Sequence, residues 1–268
     1  VLDKFVDVQN ISMNYHSTNG ETEAIKDVSF DIANGEFVSI IGPSGCGKST
    51  LLSIINGLVK PSGGNVFIKG MPMFDMPPGL WQDMKQPSRA EIGYMLQRDC
   101  LFEWRSIYEN AILGLEIQKK MTERNLAYAD ELLAQYGLGE FKTYKPSELS
   151  GGMRQRVALI RTLSTKPELL LLDEPFSALD YQTRLFIADE VGTILKKEKK
   201  TAILVTHDIS EAISLSDRII VLTKRPATIR NIHQISIGTD NRTPMKSREA
   251  PEFRKYFNKI WKELDVHV

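Results

Sequence analysis

Hydrophobic positions along this 268-residue chain follow two different periods. Near the N-terminus they alternate with polar ones. Phe5-Val6-Asp7-Val8 and Val28-Ser29-Phe30-Asp31-Ile32 have the period of half-buried strands. Asn65-Val66-Phe67-Ile68-Lys69-Gly70, after the Gly63-Gly64 turn, predicts another strand, as does Glu91-Ile92-Gly93-Tyr94-Met95-Leu96. Between them, 71–89 is rich in Met and Pro and reads as a surface loop with at most one short helical turn. From about 105 to 165 the spacing becomes helical, with Ile107, Ala111 and Leu115, then Met121, Leu126, Ala129, Leu132 and Leu133. From Leu169 short apolar strands (169–172, 202–205, 218–222) alternate with helices near 182–197 and 209–215. That alternation predicts a mostly parallel sheet covered on both faces. A terminal amphipathic helix is predicted over 249–264, carrying Phe253, Phe257, Ile260, Trp261 and Leu264.

Composition narrows the class little. Hydrophobic content of 42% and charged content of 25% are those of a globular protein. Thirty-four basic residues balance thirty-four acidic ones, so net charge favours neither nucleic acid nor an anionic membrane surface. The basic run around Lys196-Lys197 and Lys199-Lys200 reads as the solvated, dipole-complementing end of a helix. No apolar run reaches a membrane span, and Val1-Leu2-Asp3-Lys4-Phe5 has no apolar core of the signal-peptide kind. Cys46 and Cys100 lie far apart without metal-ligand spacing, as free thiols of a reducing cytoplasm would.

The chemistry concentrates at three places. Gly42-Pro43-Ser44-Gly45-Cys46-Gly47-Lys48-Ser49-Thr50 fits the phosphate-loop pattern G-x-x-x-x-G-K-[ST]. It stands between the apolar run 37–41 and the helix-like run 51–55, the strand–loop–helix setting that the motif needs. Its glycines let backbone N–H groups turn toward an anion, and a helix start adds a positive dipole end. Lys48 can reach β- and γ-phosphates, and the Ser49 hydroxyl can ligate Mg²⁺. The same N–H dipoles predict that Cys46 favours its thiolate. At the second place, Leu172-Asp173-Glu174-Pro175, a carboxylate ends a buried apolar run. Asp173 would need a partner there, and nucleotide-bound Mg²⁺ is one, while Glu174 could polarise an attacking water. Third is Leu149-Ser150-Gly151-Gly152-Met153-Arg154-Gln155-Arg156, with Ser150 as N-cap and a second helix start open to an anion.

Taken with these motifs, the chain resembles the ATP-binding subunit of an ABC transporter over about residues 3–237. The run 149–156 is that family's signature motif. Gln97 matches its Q-loop glutamine, a Mg²⁺ ligand that senses γ-phosphate. Ser177-Ala178-Leu179-Asp180 matches the D-loop, with Asp180 in the nucleotide site, and His207 the switch histidine at γ-phosphate. Tyr15 matches the aromatic residue that stacks on adenine. The resemblance implies a P-loop NTPase of the ABC ATPase kind. It has a mostly parallel core sheet, an N-terminal antiparallel β subdomain and a helical signature subdomain at about 98–165. An ATPase domain over 1–240 and a C-terminal helical tail at 241–268 are expected. ATP and Mg²⁺ are the implied cofactors, with Ser49, Gln97 and Asp173 on the metal and Lys48, Glu174 and His207 catalytic. Gly42 to Thr50, Tyr15, Ser150, Gly151, Gly152 and Asp180 hold nucleotide.

The resemblance also implies partners. ATP is held between the phosphate loop of one subunit and the signature helix of another, so a second copy in a head-to-tail pair is expected. Transmembrane permease subunits should dock near Gln97–Trp104, where Cys100, Leu101, Phe102 and Trp104 make an unusually apolar loop. An extracytoplasmic solute-binding protein would act through them, and the chain would sit on the cytoplasmic face of the membrane. The 61 residues 208–268 predict no long β-rich regulatory domain. Leu101-Phe102-Glu103-Trp104-Arg105, Lys224-Arg225-Pro226-Ala227 and the terminal run 257–264 resemble importers of nitrate, sulfonate, taurine, bicarbonate and thiamine precursors. The alternatives are a non-transport ABC ATPase and a regulatory nucleotide-binding protein. Long coiled coils or tandem units would favour the first and an altered Glu174 or His207 the second, and the sequence has none of these.

Overall fold

In a computed structural model, which describes residues 4–17, 20–74, 92–197, 199–238 and 243–265, the chain divides into two units. Unit 1 is Val1–Arg89 with Asp189–Val268, and unit 2 is Ala90–Ala188.

In unit 1 the alternating N-terminal segments are parts of two long strands, β1 (Lys4–Ser17) and β2 (Gly20–Ala33). They pair antiparallel with several register shifts. Asn10 and Asp27 take left-handed φ of 51° and 46° and face each other through an Asn10 Nδ2–Asp27 Oδ1 bond of 2.8 Å. Such bulges interrupt the period of two, which is why simple alternation marks only fragments of both strands. With β4 (Gly63–Ile68) and β5 (Met71–Pro72) they form a sheet in the order β2-β1-β4-β5. The remainder of the predicted 71–89 loop, from 75, lies outside the described residues.

The apolar runs of unit 1 form a second layer. β3 (Phe37–Ile41) is buried at every residue and pairs parallel with β8 (Thr201–Val205) and β9 (Arg218–Leu222). β10 (Ile229–Gln234) adds to β9 antiparallel. It is absent from the sequence reading, because half of an edge strand faces water and Arg230, Asn231 and Gln234 blur its alternation. The terminal helix predicted over 249–264 is α9 (Pro251–Asp265), and a short helix not expected from the sequence, α8 (Pro244–Glu249), precedes it; each opens on a proline, which favours the first position of a helix. Ile260 is fully buried among Ile41, Ile213 and Val221, with Phe253, Phe257 and Leu264 packed around it, whereas Trp261 stays exposed.

Unit 2 pairs β6 (Ile92–Met95) parallel with β7 (Leu169–Asp173). Its helices include α2 (Ile107–Ala111), α3 (Leu113–Ile117), α4 (Glu123–Gln135) and α5 (Gly151–Leu163). The 107–115 periodicity belongs to two short helices broken at Ile112, with Ile107, Ala111 and Leu115 all buried. A further helix, α6 (Tyr181–Lys197), begins in unit 2 and ends in unit 1.

Candidate functional site

The phosphate loop lies in unit 1. The loop leaves buried β3 and enters α1 (Lys48–Ile55) through Gly47, at φ 122° and ψ 11°. Gly45 has φ 71°, and a Cβ built on it meets nothing within 4 Å. Both are backbone conformations that glycine adopts without penalty. Gly47 has no side chain with which to cap α1, and the first amides of a helix have no carbonyl behind them within it. Lys48 is buried, and its Nζ donates to the carbonyls of Gly42 at 2.8 Å and Pro43 at 3.0 Å. Tyr15 lies beside the same helix, exposed on one face, with its hydroxyl 3.4 Å from Thr50 Oγ1.

Cys46 overturns the thiolate expectation. Its side chain is 1% exposed, and burial pushes the thiol up. The Lys48 charge, the Lys48 and Cys46 amides and Arg225 pull the other way but are outweighed. His207 follows β8, exposed at the turn into α7 (Ile209–Leu215). Its neighbours are fixed. The Thr206 hydroxyl donates to buried Glu211 at 2.7 Å, and the Asp208 carboxylate caps α7 through the amides of Ser210 and Glu211.

Unit 2 holds the other predicted residues. Asp173 ends β7 at 3% exposure, and Glu174 turns away with φ 47°. Gln97 Nε2 donates to Glu174 Oε2 at 3.2 Å, so the Q-loop amide and the glutamate meet directly. Ser150 caps α5 as expected, its hydroxyl accepting from the Met153 amide at 3.3 Å. Gly151, like Gly45, has open space where a Cβ would stand. Asp180 Oδ1 accepts from the Thr183 amide, and the Thr183 donors hold its carboxyl below the usual carboxylate range. Gln97, Asp99, Cys100, Gly151, Arg154 and Gln155 line an open cleft of about 420 Å³.

Two residues in or near these motifs carry more of the geometry than their sequence positions disclose. Gln155, 4% exposed, donates from Nε2 to the Glu174 carbonyl at 3.2 Å and accepts at Oε1 from the Ala178 amide at 2.9 Å. It sits one helical turn before Ala158 and Leu159 on the buried face of α5, and a polar residue on an apolar stripe is the signal that could have found it. Arg225, outside every nucleotide motif, donates to the Gly45 carbonyl at 2.7 Å.

Comparison with known proteins gives this geometry its family. The family described as "ABC transporter" matches residues 25–177. The chain belongs to the ABC transporter family. It is 48% identical over 263 residues to the uncharacterized ABC transporter ATP-binding protein YtlC of Bacillus subtilis (strain 168), covering 97% of this chain and 96% of that protein. It is 38% identical to the taurine import ATP-binding protein TauB of Jannaschia sp. (strain CCS1), covering 95% and 93%. Among solved structures it is similar to the ATP-binding cassette MJ0796, in a dimeric post-hydrolysis state bound to ADP and Pi. The TM-score is 0.74 at 32% identity, over 86% of this chain and 99% of that one. The chain is therefore an ABC ATPase and an ATP-binding subunit of a transporter, with the P-loop fold expected from its motifs.

The residues present fit a nucleotide. The loop offers turned amides, a helix start and a buried cation, and its crest at Gly45 is open. Among the described residues no group of three or more His, Cys, Asp or Glu converges as a metal cage. A Mg²⁺ that takes few protein ligands and several phosphate oxygens suits the predicted set, which holds one carboxylate.

Proposed function

We propose that the chain is the ATP-hydrolysing subunit of an importer for a small anion or small organic solute. Nitrate, sulfonate, taurine, bicarbonate and thiamine precursors are the candidates. The observation that carries this reading is the complete hydrolytic set on a chain related to taurine import subunits. Lys48 holds β- and γ-phosphates, and Tyr15 stacks on adenine beside α1. Ser49, Gln97 and Asp173 hold the Mg²⁺, which when bound offsets phosphate charge. Glu174 orients and deprotonates the attacking water, and His207 contacts the γ-phosphate. Gln97 can serve both neighbours, because its amide nitrogen faces Glu174 and leaves the oxygen for the metal. Asp180 and the Ser150-Gly151-Gly152 helix start act on nucleotide held by a second copy.

The transport reading adds a permease on the cytoplasmic face of the membrane. Among the described residues no helix is long and apolar enough to cross one. In this reading the permease makes the crossing. Phe102 and Trp104 support the docking site. They stack at 4.7 Å with an interplanar angle of 12°, and Trp104 is 72% exposed. The loop beneath them is hydrogen-bonded to one side chain. Fully buried Asn110 accepts from the Phe102 amide at 2.8 Å and donates to the carbonyls of Phe102, Arg105 and Ser106. An exposed aromatic ring held in place by a hydrogen-bonded loop suits a binding anchor. The test is ATP-driven uptake of these solutes by the chain co-expressed with its permease. Trp104→Ala should reduce uptake at least tenfold while ATPase activity of the isolated chain survives. Unchanged uptake and unchanged co-purification with the permease would remove the docking role.

A further inference from the structure

Lys224-Arg225-Pro226-Ala227 has no part in the roles above, yet this turn lies along the whole phosphate loop. It connects β9 to β10, and the last residue of β9 with two points of the turn meets three glycines in order. A Cβ built on Gly42 would stand 3.1 Å from Leu222 Cβ and from the Leu222 carbonyl oxygen. A Cβ on Gly47 would stand 3.2 Å from the Ala24 carbonyl and 3.9 Å from Ala227 Cβ. Between them, Arg225 Nη2 donates to the Gly45 carbonyl at 2.7 Å.

The turn is anchored without Arg225. The Thr223 amide bonds the Thr228 carbonyl, and the Thr223 hydroxyl accepts from the Thr228 amide at 2.9 Å. Ala227, fully buried, gives its amide to the Ala24 carbonyl and takes the Lys26 amide on its own. The guanidinium is exposed, so it is not needed to fill the core. What it does hold is one peptide plane. The Gly45 carbonyl and the Cys46 amide belong to the same unit. The carbonyl takes Arg225, and the amide donates to Pro43 at 3.3 Å. A peptide next to glycine rotates at little steric cost, so a loop with left-handed Gly45 and Gly47 has neighbouring conformations to reject. A charge-assisted bond at the crest rejects them.

We propose that Arg225 is a positioning residue of the phosphate loop. It clamps the Gly45–Cys46 peptide from outside and so presets the loop amides for phosphate. The proposal rests on the phosphate-loop reading and goes beyond it by giving the loop a second cation that does not touch the nucleotide. Lys48, on the Gly42 and Pro43 carbonyls, is the first. Pre-ordering of this kind appears in affinity.

Arg225→Ala and Arg225→Lys test it, each checked for folding by its thermal midpoint. One measurement is the dissociation constant for Mg-ATP. Arg225→Ala should weaken it about tenfold, the worth of one bond to a charged group, and Arg225→Lys should recover part of the loss. The second needs no nucleotide. The Cys46 side chain is buried within the loop and Cys100 is exposed on unit 2, so alkylation read at each cysteine peptide reports loop opening against an internal reference. The Cys46-to-Cys100 labelling ratio should rise about tenfold in Arg225→Ala, reflecting the same lost bond, and return toward wild type in Arg225→Lys. A purely surface role would move neither quantity. A folded Arg225→Ala chain with unchanged affinity or an unchanged labelling ratio overturns the proposal. A wild-type chain that does not bind Mg-ATP would instead overturn the phosphate-loop reading beneath it.

Discussion

Opposing influences meet at the Cys46 thiol. Loop amides and two nearby cations favour a thiolate, and removal from water favours the neutral form. Removal from water prevails, which sets a pH dependence. A thiol pushed above its ordinary value of about 8.5 keeps its proton where the same thiol in the unfolded chain has lost it. The stability that Cys46 contributes is therefore full below that value and declines as pH rises from it toward the native pKa. Alkylation of Cys46 in the folded chain should be slow at neutral pH and accelerate only in more alkaline buffer than the unfolded chain requires. Labelling from pH 6.5 to 10, read on the Cys46 peptide, checks this. Fast labelling at pH 7 that Mg-ATP suppresses would restore the reactive-thiolate expectation. The motif that made Cys46 visible in the sequence says which residues share a loop but not which of them the loop covers.

At the scale of elements, Gln155 joins the signature helix to the loop after β7. The Glu174 carbonyl accepts its amide together with the Ser177 amide and hydroxyl, and the Ala178 amide fastens to its other end. One buried side chain thus sets the Glu174 backbone and the start of the D-loop together. Gln155→Leu keeps the volume and removes both bonds, leaving the Ala178 amide without this acceptor. Stability should fall by about 1–3 kcal/mol. A shift of the glutamate by about 1 Å should lower kcat on the order of a hundredfold, with KM for ATP near wild type. A kcat loss no larger than the stability loss explains, or a matching rise in KM, would reduce Gln155 to a packing residue. The elements that frame this linkage were legible, since 37–41 is apolar but for Ser39, 169–172 is apolar throughout, and Ser150 opens a helix by its hydroxyl. Elements whose stability comes from pairing were less so. β10 is half exposed, α8 is six residues long with Thr243 as its cap, and β1 and β2 are long only because bulges at Asn10 and Asp27 let the register shift. Gln155 and Arg225 belong with these, because their partners are backbone groups 19 to 180 residues away.

At the scale of the whole molecule, the proposed function needs more than one chain. The phosphate loop belongs to unit 1 and the signature helix to unit 2, and each presents a helix start with open space at a glycine. Under the proposed head-to-tail pairing, each ATP is held by the loop of one copy and the Ser150 helix start of the other. Glu174→Gln then becomes a trap. Glutamine keeps the shape of the side chain and cannot take a proton from water. The variant should bind Mg-ATP through Lys48 and Ser49 and hydrolyse it at least about a hundredfold more slowly, the lower end of what one lost base costs. Unhydrolysed ATP should then bridge two copies, giving a dimer with Mg-ATP and a monomer with Mg-ADP in sedimentation at high protein concentration. Adding Ser150→Arg replaces the cap of α5 with a bulky cation at the point where the partner's nucleotide would lie. The double variant should stay monomeric while each copy still binds Mg-ATP at near wild-type affinity, because Ser150 serves the other copy's site. Dimerisation of the double variant with Mg-ATP would refute the shared site. Loss of nucleotide binding by that variant would mean that the signature helix of a chain serves its own phosphate loop.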